Sequence, residues 1–402
     1  MTTLGNARKL ATFENDTFCS RRTFLTASGG AVAGAALPGR SFAVPDALSA
    51  QKQRVKIGQI GVCHEHAAGK IDTLKKFPDI FEIVGVVDDR SSTAAKFAGN
   101  DIKPYKGLKW MTQEELFSTP GLQAVTVETP NSELVPTALR CMARNLAMHM
   151  DKPGGEDLSL FGKLLDGCKQ RNLPFQMGYM FRNNPAIQFC QKAVRENWLG
   201  DLYEIQADMN HHYGGKTYQE YLSHFKGGIM FNLGCHHIDW IVAVLGRPEN
   251  VTPFLRSTPG AAAGAKNNAL AVLEYPHTLV SLTACGLVTD GSGGRGLKIY
   301  GSNGAIELRP LEHFDGKPLQ LRLTLCKGNE KYAAGTHKVD FENKNGRYDS
   351  QLRELARIIR GEMKNPYSYE HDYLVQEVLL AAAGNMKWGT ATSHLPSGEK
   401  RS

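Results

Sequence analysis

A histidine and an asparagine in the middle of the chain have the spacing needed to act on one substrate group. Their segment opens at Gly227-Gly228 and ends, after an apolar run, at Gly246. If it is helical from about Asn232, then Asn232, His236 and Asp239 stand at i, i+4 and i+7 on one face. From that face the amide can orient a substrate hydroxyl and the imidazole can take its proton. We therefore predict a catalytic role for Asn232 and His236.

Alternating strands and helices in the first half are expected to position these residues. The pattern predicts a buried strand over 54–61, a helix over 64–77 and a strand over 81–87. A strand, glycine turn, helix and strand closed by an acid are typical of dinucleotide binding, and the acid here is Asp88. Asp88 would accept hydrogen bonds from a ribose, whereas Arg90 could meet a 2′-phosphate. Both NAD and NADP therefore stay open as cofactors.

The glycine fingerprint of this turn is incomplete. Gly61 takes the first position of G-x-G-x-x-G, but the second falls on Cys63 and the third on His66. A cysteine puts a side chain where the pyrophosphate normally needs room. We still assign Gly61, Cys63 and His64 to the cofactor site. His64-Glu65-His66 suggests metal ligands, but neighbouring side chains at a helix start diverge, so we predict no metal site.

Two more buried strands, at 123–128 and 146–150, are each followed directly by polar residues. Strands alternating with helices imply a parallel sheet with right-handed crossovers, whose ligands bind at the carboxyl ends of the strands. Lys152 leaves a strand at that edge, next to Pro153 and two glycines, which favours a role in the site over a surface position. The residues predicted at this edge to bind the cofactor are Thr129, Pro130, Asn131, Asp151 and Lys152.

The N-terminus has the features of an export signal. Arg21-Arg22 precedes a weakly apolar, glycine- and alanine-rich segment, and Ser41-Phe42-Ala43 offers a small-residue cleavage site. The apolar segment is too short for a membrane span. We predict a twin-arginine signal over 1–43 and a linker over 44–53. The protein would reach the periplasm, or stay tethered to the membrane if the signal is uncleaved.

Composition excludes several classes of protein. The 402 residues suffice for two domains, and 42% hydrophobic content is ordinary for a globular chain. The chain has 47 lysine and arginine residues and 40 aspartate and glutamate residues, and it contains no basic run. We therefore expect no nucleic-acid surface. The eight cysteines form no CxxC motif, and we expect most of them to be small core residues.

Three motifs together resemble the Gfo/Idh/MocA family, the glucose–fructose oxidoreductase and inositol dehydrogenase group. They are Thr129-Pro130-Asn131, Asp151-Lys152-Pro153, and the Gly227-to-Asp239 segment. The resemblance covers about residues 54–390. It implies a Rossmann domain with a doubly wound parallel sheet over 54–173. It also implies an α/β domain over 174–390 with a large, open, mostly antiparallel sheet, followed by a tail over 391–402.

The resemblance also implies a reaction. Members transfer a hydride between a nicotinamide cofactor and a hydroxyl carbon of a sugar, cyclitol or sugar derivative. Lys152 would bind the substrate hydroxyl and lower its proton affinity, and His236 would be the general base. The aspartate that assists this histidine in the family is Asn232 here. The second domain would have its terminal helices packed back and would form a homo-oligomer through its sheet. Residues placed at the substrate are Tyr179, Arg182, His212 and Asp239.

Two other functions stay open at this point. A hydrolase or lyase of the same family would keep its nicotinamide bound. It would oxidise the substrate, carry out an elimination and reduce the product again within one cycle. A non-catalytic sugar-binding descendant is suggested by Cys63 and Asn232, since an amide cannot bear the charge that stabilises an imidazolium. Specificity is expected in two loops, 211–226 and 288–296. No stable membrane insertion is expected.

Overall fold

The computed structural model describes residues 53–88, 103–313, 317–342 and 346–390. Four predictions lie outside these residues: the twin-arginine signal over 1–43, the linker over 44–53 except for residue 53, the role of Arg90, and the tail over 391–402. In the described part of the chain, no helix combines the length and the apolar character that a membrane span requires.

The first half forms a six-stranded parallel sheet in the order β3-β2-β1-β4-β5-β6. In this order β2 and β3 lie on one side of β1, and β4, β5 and β6 lie on the other. The change of side between β1 and β4 defines a Rossmann-like doubly wound sheet and confirms the predicted fold class. Its strands are β1 (Val55–Ile60), β2 (Phe81–Val87), β3 (Trp110–Met111), β4 (Ala124–Val127), β5 (Ala147–Met150) and β6 (Phe175–Met177).

Helices cover this sheet because each carries an apolar stripe at helical spacing. Helix α1 shows the pattern, with Ala67, Ile71 and Leu74 buried. The helices are α1 (Ala67–Lys76), α2 (Gln113–Phe117), α3 (Asn131–Ala143) and α4 (Leu158–Gln170). Strand β6 pairs with β5 and is therefore part of this sheet, although the predicted domain boundary at residue 174 assigned it to the second domain.

The second half contains an eight-stranded sheet in the order β14-β13-β12-β11-β7-β10-β9-β8. All its neighbouring pairs are antiparallel except β7 with β10, so the sheet is mostly antiparallel as predicted. Its strands are β7 (Leu202–Met209), β8 (Asn250–Arg256), β9 (Asn268–Glu274), β10 (Leu279–Cys285), β11 (Arg295–Gly301), β12 (Gly304–Leu308), β13 (Leu319–Leu325) and β14 (Gly335–Phe341).

Five further α-helices follow in the described residues. They are α5 (Pro185–Arg195), α6 (Lys216–Ser223), α7 (Cys235–Leu245), α8 (Asp349–Ile359) and α9 (Tyr369–Ala382), and a π-helical turn spans Met230–Gly234. Helix α8 returns to the first half and packs against α1, while α9 packs against both α4 and α7. The segment 211–226, predicted as a loop, contains helix α6, and the strand β14 was not predicted.

Candidate active site

The turn after β1 requires a glycine. Gly61 has a φ of +94°. A Cβ atom there would lie 2.5 Å from the backbone of Glu128 and Thr129. The backbone N–H of His64 donates a hydrogen bond to the carbonyl of Glu128 at 3.1 Å. The turn therefore lies directly on the carboxyl end of β4, which is the ligand-binding edge of the sheet.

A cavity of about 610 Å³ opens beside this turn. Cys63 and His64 line one side, Pro130 and Asn131 line a second, and Tyr221 of α6 covers a third. The amide of Asn131 donates to the hydroxyl of Tyr221 at 3.1 Å, and its buried Oδ1 accepts no hydrogen bond from the described residues. The structure thus places four of the predicted cofactor residues, Cys63, His64, Pro130 and Asn131, on one cavity.

Lys152 lies buried where the chain leaves β5. Its ammonium donates to the backbone carbonyl of Asn232 at 2.9 Å and to the side-chain oxygen of Asn232 at 3.1 Å. The amide nitrogen of Asn232 donates in turn to the Tyr218 hydroxyl at 2.9 Å. An ammonium has three N–H donors, and these contacts use two of them. Lys152 is therefore held in place by neutral oxygens, with a donor left for a ligand.

His236 is 1% exposed and stands against aromatic rings. Its ring centroid lies 5.6 Å from that of Phe181 and 6.3 Å from that of Tyr179. Burial holds the pKa of His236 well below its usual value, and the nearby charges of Lys152 and Arg347 lower it further. Its Nδ1 has no hydrogen-bond partner among the described residues. His236 is thus a neutral imidazole at neutral pH, with a lone pair or N–H available to a ligand.

The helical face predicted for Asn232, His236 and Asp239 is not regular. Asn232 lies in the π-helical turn, and the α-helix begins only at Cys235. The wider turn changes the angle between Asn232 and the α-helix that carries both His236 and Asp239. Asn232 contacts Lys152, whereas Asp239 contacts Arg182 and His371. The placement of all three side chains on one face stays a prediction.

Arg182 and Asp239 form a buried ion cluster. The Arg182 guanidinium donates to both carboxylate oxygens of Asp239, from Nε at 3.1 Å and from Nη2 at 2.6 Å, and it also donates to Asp372. His371 lies 3.0 Å from the same carboxylate. Burial opposes ionisation of Asp239, but Arg182 and His371 hold its pKa below the usual value. These contacts favour a positioning role beneath α7, and a direct substrate contact stays a prediction.

His212, which we placed at the substrate, is exposed, and its neighbour faces the interior. His211 stacks on Tyr213 with ring centroids 3.8 Å apart. The Tyr213 hydroxyl accepts a hydrogen bond from the buried Arg295 at 3.1 Å. Burial lowers the pKa of His211, and the Arg295 charge lowers it further. His211 is thus the less exposed of the two histidines, and both lie beyond the end of β7 at Met209.

A second group of charged side chains surrounds Asp151, which is fully buried at the end of β5. His66 Nδ1 lies 3.0 Å from one carboxylate oxygen and 3.1 Å from the other, and His64 Nδ1 lies 3.5 Å away. Our argument that His64 and His66 diverge was wrong. Both precede α1, which begins at Ala67, and their rings lie 4.9 Å apart in a non-helical turn.

Sequence reasoning missed several residues of this region. Tyr218 and Tyr221 reach the site from α6, and their i, i+3 spacing was the available signal. Glu128 follows β4 and is fully buried. Burial and the nearby charge of Asp151 raise its pKa well above the usual value. No local pattern distinguishes Glu128 from an ordinary residue that ends a strand.

Comparison with known proteins supports the resemblance for the second half. Residues 187–307 match the GFO/IDH/MocA C-terminal domain. The match runs from within α5 to within β12 and includes the turn and helix that carry Asn232 and His236. This segment is therefore similar to that C-terminal domain.

Curated relatives cover part of the chain. Trans-1,2-dihydrobenzene-1,2-diol dehydrogenase of Sus scrofa is 23% identical over 215 residues, which are 52% of this chain and 61% of the relative. The chain thus matches about three fifths of the length of that enzyme.

Solved structures share the whole fold. UDP-N-acetylglucosamine 3-dehydrogenase from Acidithiobacillus ferrooxidans has a TM-score of 0.65 at 18% identity, over 83% of this chain and 97% of the other. An oxidoreductase from Agrobacterium radiobacter, solved with NAD+, L-tartaric acid and magnesium, has a TM-score of 0.67 at 16% identity, over 83% and 96%. The two-sheet α/β architecture is therefore that of these oxidoreductases.

Proposed function

We propose that this protein is an oxidoreductase that transfers a hydride between NAD or NADP and a hydroxyl carbon of a sugar, cyclitol or sugar derivative. One observation carries the proposal. A buried ammonium, Lys152, lies at the carboxyl end of β5 in the Rossmann-like sheet, and its charge helps to keep the buried imidazole of His236 neutral. Lys152 is hydrogen-bonded to the turn that immediately precedes the helix of His236.

The cavity at the first turn fits a nicotinamide dinucleotide. Gly61 lets the chain turn against β4, and the N-terminus of α1 has no acidic residue in its first turn. The positive end of that helix dipole therefore stays available to a pyrophosphate. Asp88 follows β2, where a ribose would be met. Residues that would hold the cofactor are Gly61, Cys63, His64, Asp88, Thr129, Pro130 and Asn131.

The chain's own residues would prepare the substrate for hydride loss. Lys152 would donate its remaining N–H to the reacting hydroxyl, and its positive charge would lower the pKa of that hydroxyl. Asn232 would keep the ammonium in position through its two oxygens. His236 would accept the hydroxyl proton, because its lowered pKa keeps it unprotonated. The bound nicotinamide would supply the hydride acceptor or donor.

The substrate class rests on chemistry shared by the similar proteins. Two of these proteins are named for a dihydrodiol and an amino sugar nucleotide, and a third was solved with tartaric acid. Each of these compounds carries hydroxyl-bearing carbons. A Lys and His pair that acts on one hydroxyl suits such compounds. We therefore propose a polyhydroxylated carbohydrate-like substrate.

The cofactor is tested first. Purified folded protein is denatured, and the extract is analysed by mass spectrometry for NAD(H) and NADP(H). We expect one nicotinamide dinucleotide per chain, or a rise in melting temperature when NAD or NADP is added to the empty protein. Failure to detect either dinucleotide, together with no thermal shift, would exclude the proposal.

Turnover is tested with the cofactor so identified. A panel of sugars, sugar acids and cyclitols is screened for a change in nicotinamide absorbance. A net change in nicotinamide redox state with a hydroxyl substrate supports the proposed reaction. Product formed without net redox change would indicate instead the hydrolase or lyase that retains its cofactor.

Export by the twin-arginine route is a further proposal and rests on the sequence alone. Arg21-Arg22 and the Ser41-Phe42-Ala43 site support it. The test fractionates bacterial cells that express the full chain. We expect the protein in the periplasmic fraction, and cytoplasmic retention after a double substitution of Arg21→Lys and Arg22→Lys. Equal export of the variant would contradict this route.

A further inference from the structure

The cluster around Asp151 has the composition and spacing of a metal centre. Two imidazoles, His64 and His66, and two carboxylates, Asp151 and Glu128, meet in a buried space below the first turn of the Rossmann-like half. The potential ligand atoms of His64, His66 and Asp151 all lie within 4.8 Å of one another. Nitrogen and carboxylate ligands of this kind bind first-row divalent ions such as Zn²⁺.

The distances within the cluster fit donors around one ion. His66 Nδ1 is 3.0 Å from Asp151 Oδ2, His64 Nδ1 is 3.5 Å from the same oxygen, and His64 Nδ1 is 4.0 Å from Glu128 Oε2. Ligand atoms about 2.0–2.2 Å from a tetrahedral zinc ion are about 3.3–3.6 Å apart. The two contacts to Asp151 are close to this spacing, whereas the Glu128 oxygen, 4.0 Å from His64 Nδ1, would have to move closer to join them.

Glu128 supplies a second, independent observation. Its side chain is fully buried, and neither of its carboxylate oxygens accepts a hydrogen bond from the described residues. A buried carboxylate without a donor is costly, and a cation would satisfy it. A proton on Glu128 would cancel its charge but would still leave one oxygen without a donor.

Lys70 lies beside the cluster. Its ammonium lies 3.9 Å from Asp151 and contacts His149. The similar group formed by Asp239, His371 and Asp372 differs, because the Arg182 guanidinium already lies between its carboxylates.

We propose that His64, His66, Asp151 and Glu128 bind one divalent transition-metal ion, with Zn²⁺ as the preferred species. The site goes beyond the proposed hydride transfer. Its ligands come from the turn before α1 and from the ends of β4 and β5, so the ion would fix these three segments against one another. The backbone N–H of His66, now 3.3 Å from His64 Nδ1, would lose that long contact.

Metal content tests the site without reference to activity. The full-length protein is purified without chelators and analysed by inductively coupled plasma mass spectrometry. It is then stripped with a chelator and titrated with Zn²⁺, and with Co²⁺ for visible spectroscopy. We expect one ion per chain, a higher melting temperature with Zn²⁺, and a Co²⁺ spectrum typical of nitrogen and oxygen ligands.

Two variants and a control locate the ion. His66→Ala removes a ligand, and Glu128→Gln keeps the side-chain shape while removing its charge. We expect Zn²⁺ affinity to fall at least about tenfold in each. His224→Ala removes an exposed histidine from the wall of the adjacent cavity and should leave affinity unchanged.

Three results would overturn the site: no metal in the wild-type protein with no response to Zn²⁺ or Co²⁺, unchanged affinity in both ligand variants, or an equal loss in His224→Ala. The wild-type Co²⁺ spectrum does not depend on whether a variant folds. Metal bound by a protein that takes no nicotinamide would support this inference and reject the proposed function.

Discussion

At the scale of single residues, burial determines what His236 can do. Desolvation disfavours the imidazolium, and the positive charges of Lys152 and Arg347 add to that effect. The family pattern has an aspartate where this chain has Asn232, and that amide contacts Lys152. The neutral form of His236 is therefore maintained by its surroundings, and Asn232 contributes by fixing the ammonium.

Substitution of the base should abolish turnover without loss of cofactor. We expect His236→Asn to reduce kcat by about 10²–10⁴-fold, the usual contribution of a general base. Nicotinamide affinity, measured by isothermal titration calorimetry, should stay within about twofold, because His236 is absent from the cavity wall at the first turn. His277→Asn, at an exposed position between β9 and β10, serves as the control and should retain full kcat.

The pH profile follows from the direction of the pKa shift. Catalysis needs unprotonated His236, and the pKa of His236 in the folded protein lies well below the usual histidine value of 6.5. Activity should therefore persist as the pH falls through 6.5 and decline only at a lower pH. The measurement is kcat/KM against pH in a constant-ionic-strength buffer series. A half-maximal point at or above 6.5 would contradict our assignment of the base.

At the scale of elements, regular periodicity made most of the structure predictable. The strands of the first sheet are short apolar runs that end in polar or glycine residues, and β1, β2, β4 and β5 were predicted from this pattern. Strand β3 has only two residues, Trp110 and Met111, too few to show alternation. The π-helical turn at Met230–Gly234 was not predictable, because its residues suit an ordinary helix equally well.

Predictability was lower for contacts between distant segments. Lys152 and His236 were found from local motifs, whereas Tyr218, which contacts Asn232, and Glu128, which lies 4.0 Å from His64, come from elsewhere in the chain. Arg182 was predicted to face the substrate because its sequence neighbours do not reveal Asp372, which lies 190 residues away. Tertiary pairing of charges leaves no trace in the local spacing of residues.

The turn after β1 should not tolerate a side chain at Gly61. A Cβ atom would meet the β4 backbone at 2.5 Å, and the φ of +94° disfavours any L-residue. We expect Gly61→Ala to lower the melting temperature and to weaken nicotinamide binding at least about tenfold. Gly107→Ala is the matched control. Its φ is also positive, but no atom lies within 4 Å of the added Cβ, so cofactor affinity should not change.

The ion cluster under α7 should contribute strongly to stability. Arg182→Met leaves Asp239 and Asp372 buried without their shared cation. Removing one partner of a buried ion pair costs about 3–5 kcal/mol. Urea unfolding followed by circular dichroism should show this loss. Lys192→Ala, which breaks a solvent-exposed pair with Glu196, should cause little change. Equal stabilities for the two variants would exclude a structural role for the cluster.

At the scale of the whole molecule, the eight-stranded sheet presents apolar side chains to solvent. Tyr203 of β7, Phe254 of β8 and Leu279 of β10 are 54%, 46% and 58% exposed. Tyr203 also stacks on Tyr300 of the neighbouring strand. Exposed apolar side chains grouped on one sheet suit an interface better than free solvent. This feature supports the expected homo-oligomer, which stays a prediction.

Charge introduced on that sheet should separate the subunits. We expect the double substitution of Tyr203→Lys and Leu279→Lys to convert an oligomer to a monomer, since buried unpaired lysines oppose association. Size-exclusion chromatography with light scattering gives the mass directly. Lys331→Ala, at an exposed position between β13 and β14, should leave the mass unchanged. A wild-type monomer at micromolar concentration would contradict the prediction.

Helix α9 comes late in the chain, and yet it secures groups from much earlier segments. Gln376 accepts a hydrogen bond from Gly154 N at 2.9 Å and donates to the Gly155 carbonyl, directly after Lys152-Pro153. Asp372 of the same helix completes the contacts of Arg182. A growing polypeptide therefore contains Lys152 and His236 long before it can hold them in place. The nascent chain can complete its active site only after α9 has been synthesised. A chain that ends before residue 369 would contain all its catalytic groups but no assembled active site.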